Sequence, residues 1–421
     1  MPAKSAIFLD ANAGLPLHPR ARQALIAALE ESGGEFPFNP ASPHSLGQRS
    51  RAQFERSRAL VLSSLVSEEL SKKSSSGRAG AFVFTGSGTE ANQWVIRSIL
   101  ESPVCDHHWV TSAAEHDSIL QMIPWARARG IHVTILPLQA DGQPCFETFQ
   151  KALDEPCKPT LISLLWVNNE TGVVLSRPVL GDWIKAAHSA QAAVHLDGAQ
   201  AWGKFKLELD RLGADFVTFS GHKIGGMAGS GGVWISPERA AMAGGSAGRL
   251  ILGKAEGGRR GGTSSVVAAL LLGEAASAVQ QKSPECEREI EQLSSDFEAE
   301  LLKRFGDSVT INGKSSTRVP GTTNVSFHGV SGEGLVAALD LEGFAVSAGA
   351  ACSSGTLEPS HVLLAMGVSP EVARASIRVS LPREGQKSVT GAELARFLDA
   401  LERVVGRMRR ASGLNFARGA S

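Results

Sequence analysis

The chain has 421 residues, enough for two domains and a large core, and its Lys+Arg and Asp+Glu totals are both 42, so the formal net charge is zero. Hydrophobic residues make up 43%, as in an ordinary globular protein, so bulk charge drives the chain toward neither a nucleic acid nor a membrane, and no apolar run reaches transmembrane length. The five cysteines (Cys105, Cys145, Cys157, Cys286 and Cys352) are odd in number and show no CxxC or zinc spacing, which argues against a disulfide scaffold, predicts no metal site and fits a reducing cytoplasm; the N-terminus has no apolar secretory region.

Between roughly residues 50 and 235, short apolar runs alternate with helical patterns. Predicted strands are Ala81–Phe84, Trp109–Thr111, Val133–Leu136, Leu161–Leu165, Ala193–Leu196, Phe216–Phe219 and Gly232–Ile235. Predicted helices are Ser50–Leu65, Glu90–Leu100, Ser118–Ala128, Glu147–Leu153 and Leu180–Ala190. Nearly all-apolar strands alternating with helices predict an α/β fold, with a mostly parallel sheet covered on both faces. Residues 71–80 (SKKSSSGRAG) read as a solvated loop. Past the glycine-rich stretch 244–263, helical patterns at Ser265–Gln281, Glu285–Phe305 and Thr390–Arg410 frame strand-like pieces at Val309–Ile311, Thr323–Phe327, Ala345–Ser347 and Ser376–Ser380. This second part reads as a smaller α+β domain. The expected division is 18–265 for the large domain and 1–17 with 266–421 for the small one.

Chemistry-bearing residues cluster at the predicted strand ends. The run Thr85-Gly86-Ser87-Gly88-Thr89-Glu90-Ala91-Asn92 leaves a strand and opens a helix, where backbone amides and the helix N-terminus favour a phosphate. It lacks the Lys-Ser/Thr of a Walker loop, and alone it reads equally well as an ordinary helix cap. Gly248…Lys254 and the glycines of 225–232 resemble nucleotide loops only superficially and read as turns. His116 follows another strand, where an imidazole can stack on a flat ring; His107 and His108 read as surface residues. Asn168-Asn169-Glu170 and Asp197-Gly198-Ala199-Gln200 end two more strands. Such strand ends are where open α/β sheets bind ligands.

Lys223 closes Ser220-Gly221-His222-Lys223 at a strand end. By itself it reads as a surface lysine. A desolvated lysine, however, loses its proton and can form an imine with an aldehyde. With a carboxylate such as Asp197 for a pyridinium nitrogen, the pair fits a pyridoxal phosphate (PLP) site. In the second domain, Cys352 lies among small residues and glycines, an accessible setting for a nucleophilic thiol. Arg378, charged within an apolar strand, calls for a buried anion: a substrate carboxylate or a structural ion-pair partner.

From Ile7 to about Arg383 the chain resembles the cysteine desulfurases of the NifS/IscS type, on the class V aminotransferase fold. The landmarks are Asn39-Pro40-Ala41-Ser42 with His44, Gly88-Thr89-Glu90, Glu115-His116, Val167-Asn168-Asn169-Glu170, Asp197-Gly198-Ala199-Gln200, Ser220-Gly221-His222-Lys223, Arg260-Gly261-Gly262-Thr263, Leu357-Glu358-Pro359-Ser360-His361 after Cys352, and Ser376-Ile377-Arg378.

The resemblance implies a PLP-dependent transferase of fold type I (aspartate aminotransferase-like), with a seven-stranded sheet and a smaller C-terminal domain. It implies that Lys223 holds PLP and moves protons at the substrate α-carbon, that Asp197 pairs with the ring nitrogen, and that Gln200 contacts the ring oxygen. His116 stacks on the ring and serves in acid–base steps. Gly88, Thr89, Ser220 and His222 bind the phosphate, with Thr263 supplied across a homodimer. Asn39, Asn169 and Arg378 hold the carboxylate of L-cysteine. Cys352 takes the sulfur as a persulfide, leaving L-alanine, and a sulfur-acceptor protein in iron–sulfur cluster assembly or another thiolation pathway receives it.

The chain also departs from the family. Ala13-Gly14-Leu15 stands where a Thr pair usually precedes the proline, Gly262 replaces a common serine, residues 71–80 look inserted, and the tail 412–421 is unlike a scaffold-docking tail. Alternatives are a selenocysteine lyase or aminotransferase on the same fold, or a non-catalytic PLP-binding scaffold protein. Cys352 separates the first two from a desulfurase, and the full residue set argues against a scaffold.

Overall fold

The structure, a computed structural model, describes residues 6–71, 79–102, 106–241, 251–281, 283–349, 358–383 and 388–411. Cys352, residues 72–78 of the predicted insertion and the tail 412–421 lie outside the described residues.

The apolar runs of the first half form one seven-stranded sheet in the order Ala81–Thr85, Gly231–Ile235, Phe216–Ser220, Ala193–Asp197, Leu161–Leu165, His108–Ser112, His132–Leu136. Gly231–Ile235 runs antiparallel to both neighbours, and the remaining pairs are parallel. Side chains alternate between the faces of a strand. Phe82, Phe84, Val217, Phe219 and Trp234 therefore enter one apolar core, while Val83, Phe216, Val233 and Ile235 enter another on the opposite face. Burial on both faces explains why these strands read as continuous apolar runs.

The expected helix over 118–128 is two pieces, Asp117–Leu120 and Met122–Arg127. Pro124 has no N–H to donate to Leu120, so one continuous helix loses a bond there. A helix that the expected elements lack, Pro19–Glu31, starts with proline at its first turn, capped by His18.

The smaller unit holds a four-stranded antiparallel sheet in the order Ser347–Ala348, Ser376–Ser380, Thr322–Phe327, Val309–Ile311. The predicted strand 345–347 is divided: Phe344–Ala345 pairs with Ile7–Phe8 and Ser347–Ala348 with Ser376–Ser380, so the chain changes sheets at Val346. Helices Pro284–Phe305 and Gly391–Ala411 bury Ile290, Phe297, Leu301, Phe397 and Leu401 against this unit. Helix Val266–Gln280 behaves differently, placing Val266, Ala269, Leu272 and Ala275 in the core of the large sheet. This helix, which the expected division gives to the small domain, thus packs on the large sheet.

Candidate active site

Parallel strands bring Thr85, Ser112, Leu165, Asp197 and Ser220 to the same edge of the sheet. At the first of these ends the chain turns through Gly86 and Ser87 into helix Gly88–Leu100. Ser87 Oγ caps it, accepting from Glu90 N at 3.0 Å, while Glu90 ion-pairs with Arg260 and accepts from Gly86 N at 2.8 Å. A Cβ on Gly88 would lie 3.1 Å from the Ser220 Cβ, so glycine lets this helix N-terminus come up against the Ser220 strand end. Ser220 Oγ is 3.0 Å from His222 Nδ1. Burial first, then Lys223 and His116 nearby, push the His222 pKa down to about 4, so the ring is neutral at physiological pH.

Asp197 is 4% exposed. Asn92, one turn into the Gly88–Leu100 helix, donates from Nδ2 to Asp197 Oδ2 at 2.8 Å and to Ser118 Oγ at 2.8 Å, and its Oδ1 accepts the Thr218 hydroxyl. Ala199 N donates to the other Asp197 oxygen at 3.0 Å. Among the described residues Asp197 makes no ion pair. His116 caps helix Asp117–Leu120, its Nδ1 accepting from Ser118 N at 3.1 Å, so the neutral ring carries its proton on Nε2.

Lys223 Nζ donates to the carbonyls of Asn12 at 2.8 Å and Ala13 at 2.9 Å. Asn12 joins several of the expected site residues. Its carbonyl also accepts from Gln200 Nε2 at 2.9 Å, its Oδ1 from Lys204 Nζ at 2.6 Å, and its Nδ2 donates to Asn169 O and Thr322 Oγ1, both at 3.1 Å. Lys204 Nζ also donates to Gln200 Oε1 at 2.7 Å, which fixes the orientation of that amide. The departing segment Ala13-Gly14-Leu15 thus lies directly over the Lys223 turn: Leu15 N donates to His222 O at 2.8 Å, and a Cβ on Gly14 would meet the His222 ring at 2.9 Å.

Arg378 is 1% exposed. Its NH2 donates to Asp10 Oδ1 at 2.7 Å and its NH1 to Asn169 O at 3.0 Å, while Nε is buried without a partner. The expected structural ion-pair partner of this residue is present, as Asp10, and the guanidinium keeps one donor unused. The Asn169 side chain makes no hydrogen bond among the described residues. Asn39 Oδ1 accepts from Ala41 N at 2.9 Å within its own turn, and Asn39 and Thr263 line a separate cleft with Arg51, Arg58 and Lys254. That cleft shares no lining residue with the cavity beside Lys223, which includes Asn12, Lys204, Thr322 and Arg383. The single chain therefore does not bring Asn39 or Thr263 to Lys223.

Two buried acids complete the surroundings. Glu115 Oε1 accepts from Ser112 Oγ at 2.7 Å and Leu165 N at 2.9 Å, and its Oε2 has no partner. Burial pushes its pKa up to about 8, outweighing those two bonds, so it is protonated at neutral pH. Burial likewise raises Glu170, which accepts the Ser360 hydroxyl. His361 Nε2 lies 3.0 Å from the Glu115 carbonyl, so the described residues that follow the Cys352 segment are anchored one residue from His116.

Residues 7–387 match the family Aminotransferase class-V. The chain belongs to this family. Within it, the chain is 32% identical to the cysteine desulfurase of Gluconacetobacter diazotrophicus, over 97% of this chain and 95% of that protein. It is 33% identical to the cysteine desulfurase IscS of Dictyoglomus turgidum, over 96% of each. Its structure resembles that of a NifS-like protein from Rickettsia africae, with a TM-score of 0.79 and 27% identity, covering 95% of this chain and 99% of that one. Class-V aminotransferases of this cysteine desulfurase kind are PLP-dependent enzymes. The class-V site here has the parts that PLP requires: a buried carboxylate without a cation, a lysine on the same sheet edge, and a helix N-terminus beside hydroxyl and imidazole donors. Sequence motifs pointed to most of these residues but missed Asn12, Asn92 and Lys204. Asn92 lay within the quoted phosphate-loop run, and its place one helical turn beyond Gly88 was the available signal.

Proposed function

We propose that the protein is a cysteine desulfurase that binds PLP at Lys223, converts L-cysteine to L-alanine and carries the sulfur as a persulfide on Cys352 to an acceptor protein. The observation that carries this reading is Asp197, buried and held from both oxygens by neutral donors, with no counter-ion of its own. Leaving a carboxylate in that state is costly unless a cation arrives, and a protonated pyridine nitrogen is one.

Bound there, PLP supplies an electron sink for the charge left when the substrate loses its Cα proton. In this reading Asp197 would pair with the ring nitrogen and keep it protonated, Gln200 would contact the ring oxygen, and His116 would stack on the ring. Gly88, Thr89, Ser220 and His222 hold the phosphate. Lys223, released from the Asn12 and Ala13 carbonyls, takes the proton from Cα. Arg378 Nε and the Asn169 amide orient the substrate carboxylate. The Cys352 thiolate attacks the substrate sulfur: the S–S bond forms as the Cβ–S bond breaks, and the electron pair stays with the substrate carbon, which takes a proton on the way to alanine. Asn39 and Thr263, in their own cleft, serve the site of a partner subunit in a homodimer. A reducing cytoplasm suits this chemistry, and the described Cys145 and Cys157 are free thiols.

The test is to supply purified protein with L-cysteine and a thiol reductant and to score alanine and sulfide. Cys352→Ser should keep the absorbance of bound PLP and lose sulfide release. Normal turnover by that variant would favour selenocysteine lyase or transaminase chemistry instead, and an absence of both products from the wild type would leave a non-catalytic binding protein.

A further inference from the structure

At the opposite edge of the large sheet, where the strands begin, lies a group of side chains that the proposed chemistry does not use. His108 and His132 open neighbouring parallel strands and are direct register partners, so their side chains share one face. Their rings are 4.3 Å apart between centroids. Glu155, just past helix Phe146–Asp154, places Oε2 3.0 Å from His132 Nε2. One ligand atom from each of His108, His132 and Glu155 lies within 4.8 Å of the other two. The expectation that His107 and His108 are surface residues is overturned: His107 is 9% exposed and His108 0%.

The environment of His108 is arranged as in a ligand. Nδ1 is 2.8 Å from the Cys157 carbonyl, which can only accept, so Nδ1 carries the proton and Nε2 presents a lone pair. That lone pair faces the Thr134 hydroxyl oxygen at 2.9 Å, so Thr134 turns about its Cα–Cβ bond for an ion to take that place. Metal-binding histidines commonly donate their second nitrogen to a backbone carbonyl in this way. The loop that supplies Glu155 also supplies the Cys157 carbonyl that orients His108.

We propose that His108, His132 and Glu155 form a binding site for a divalent transition-metal ion of the zinc class, with water in the remaining position. Two imidazoles and one carboxylate suit zinc, whose ligands stand about 2.0–2.2 Å from the ion, and the present spacing closes to that geometry by side-chain rotation at the exposed His132 and Glu155. The ion would be a clamp rather than a catalyst. It ties the edge strand His132–Leu136 and the loop after Phe146–Asp154 to the buried strand His108–Ser112, far from Lys223 along the strands.

The site is tested by calorimetric titration of Zn²⁺ into the intact PLP-loaded protein carrying Cys352→Ser, which removes that thiol as a competing ligand. One ion per chain is expected, with affinity lowered at least about tenfold by His132→Ala and by Glu155→Gln, and unchanged by Cys157→Ser. Zn²⁺ should also raise the melting temperature of the parent but not of the first two variants. Both variants alter exposed side chains, so they are expected to fold. No saturable binding, binding indifferent to His132→Ala and Glu155→Gln, or binding abolished by Cys157→Ser would overturn the proposal.

Discussion

Asp197 and Arg378 are both buried charges on strands, one in the large sheet and one in the small, and Arg378 reaches the Asn12–Asn169 junction through Asn169 O. Their surroundings differ. Arg378 is neutralised within the chain by Asp10, whose second oxygen accepts from Ser347 Oγ at 2.7 Å. Among the described residues, Asp197 is held only by neutral dipoles, from Asn92 and the Ala199 N–H. A buried charge needs a partner of opposite sign or a dense set of hydrogen bonds. The small sheet is therefore electrostatically complete by itself, whereas the large-sheet edge reaches that state only with a cation from outside. On the proposed function, the cofactor would be held by the large domain, with the small domain contributing a pre-set wall.

The largest expected effect falls on the incomplete side. On the proposed function, Lys223→Ala removes the residue to which PLP attaches and the base for the Cα proton, so alanine formation should fall by roughly three orders of magnitude or more. Its Nζ donates to the carbonyls of Asn12 and Ala13, uncharged acceptors that water can satisfy once the side chain is gone, so the melting temperature should move little. Alanine formation near the wild-type rate would refute the assignment of Lys223.

Next in size is a pair of variants that tests the comparison itself. Asp10→Asn leaves the Arg378 guanidinium buried without its counter-charge and should destabilise the cofactor-free protein by about 3–5 kcal/mol, read as a lower denaturant midpoint. Asp197→Asn removes a charge that has no internal partner, so the same measurement should show no loss of stability, while PLP binding weakens. Equal destabilisation by both would mean that the two charges are not differently compensated.

Sequence made the strands legible because burial on both faces leaves uninterrupted apolar runs, and it made Asp197, Ser220 and Lys223 legible because polar residues end those runs abruptly. It did not show that Asn12 bridges Lys223, Gln200, Lys204 and Asn169, because that junction depends on a segment more than 150 residues away in the chain crossing the sheet edge. Arg378 was read correctly as needing an anion, yet the anion at hand, Asp10, comes from the same distant segment. His108 was misjudged for a related reason: a lone histidine in a polar stretch gives no sign that the Cys157 carbonyl and Thr134 enclose it. Helix Val266–Gln280 is apolar nearly all round, which marks burial but not the sheet it packs on.

Lys204→Met tests how finely the large-domain wall is set. The methionine keeps the length of the side chain but frees the Gln200 and Asn12 oxygens that Lys204 now holds at 2.7 and 2.6 Å. On this reading PLP still binds, its absorbance band shifts as Gln200 loses its fixed orientation, and kcat/KM falls by about tenfold, the order of one lost charge-assisted hydrogen bond. An unchanged spectrum with full activity would show that Lys204 is only a structural brace.

The effect that is smallest per step of the measurement concerns Glu115. Its pKa in the folded chain is about 8, above the reference value of 4.5, so the native state holds a proton that the unfolded state releases. The stability tied to that proton is fully present below about pH 4.5 and is lost as pH rises toward 8. Glu115→Gln has the same shape and no proton to lose. The wild type should therefore lose stability relative to the variant across this window, on the order of 1 kcal/mol per pH unit, and the difference should level off above it. Denaturant midpoints of the two cofactor-free proteins, measured side by side at several pH values, read this directly. A difference independent of pH would show that Glu115 is ionised in the fold, and that the negative charge near His116 and Asp197 is greater than the buried, protonated carboxyl implies.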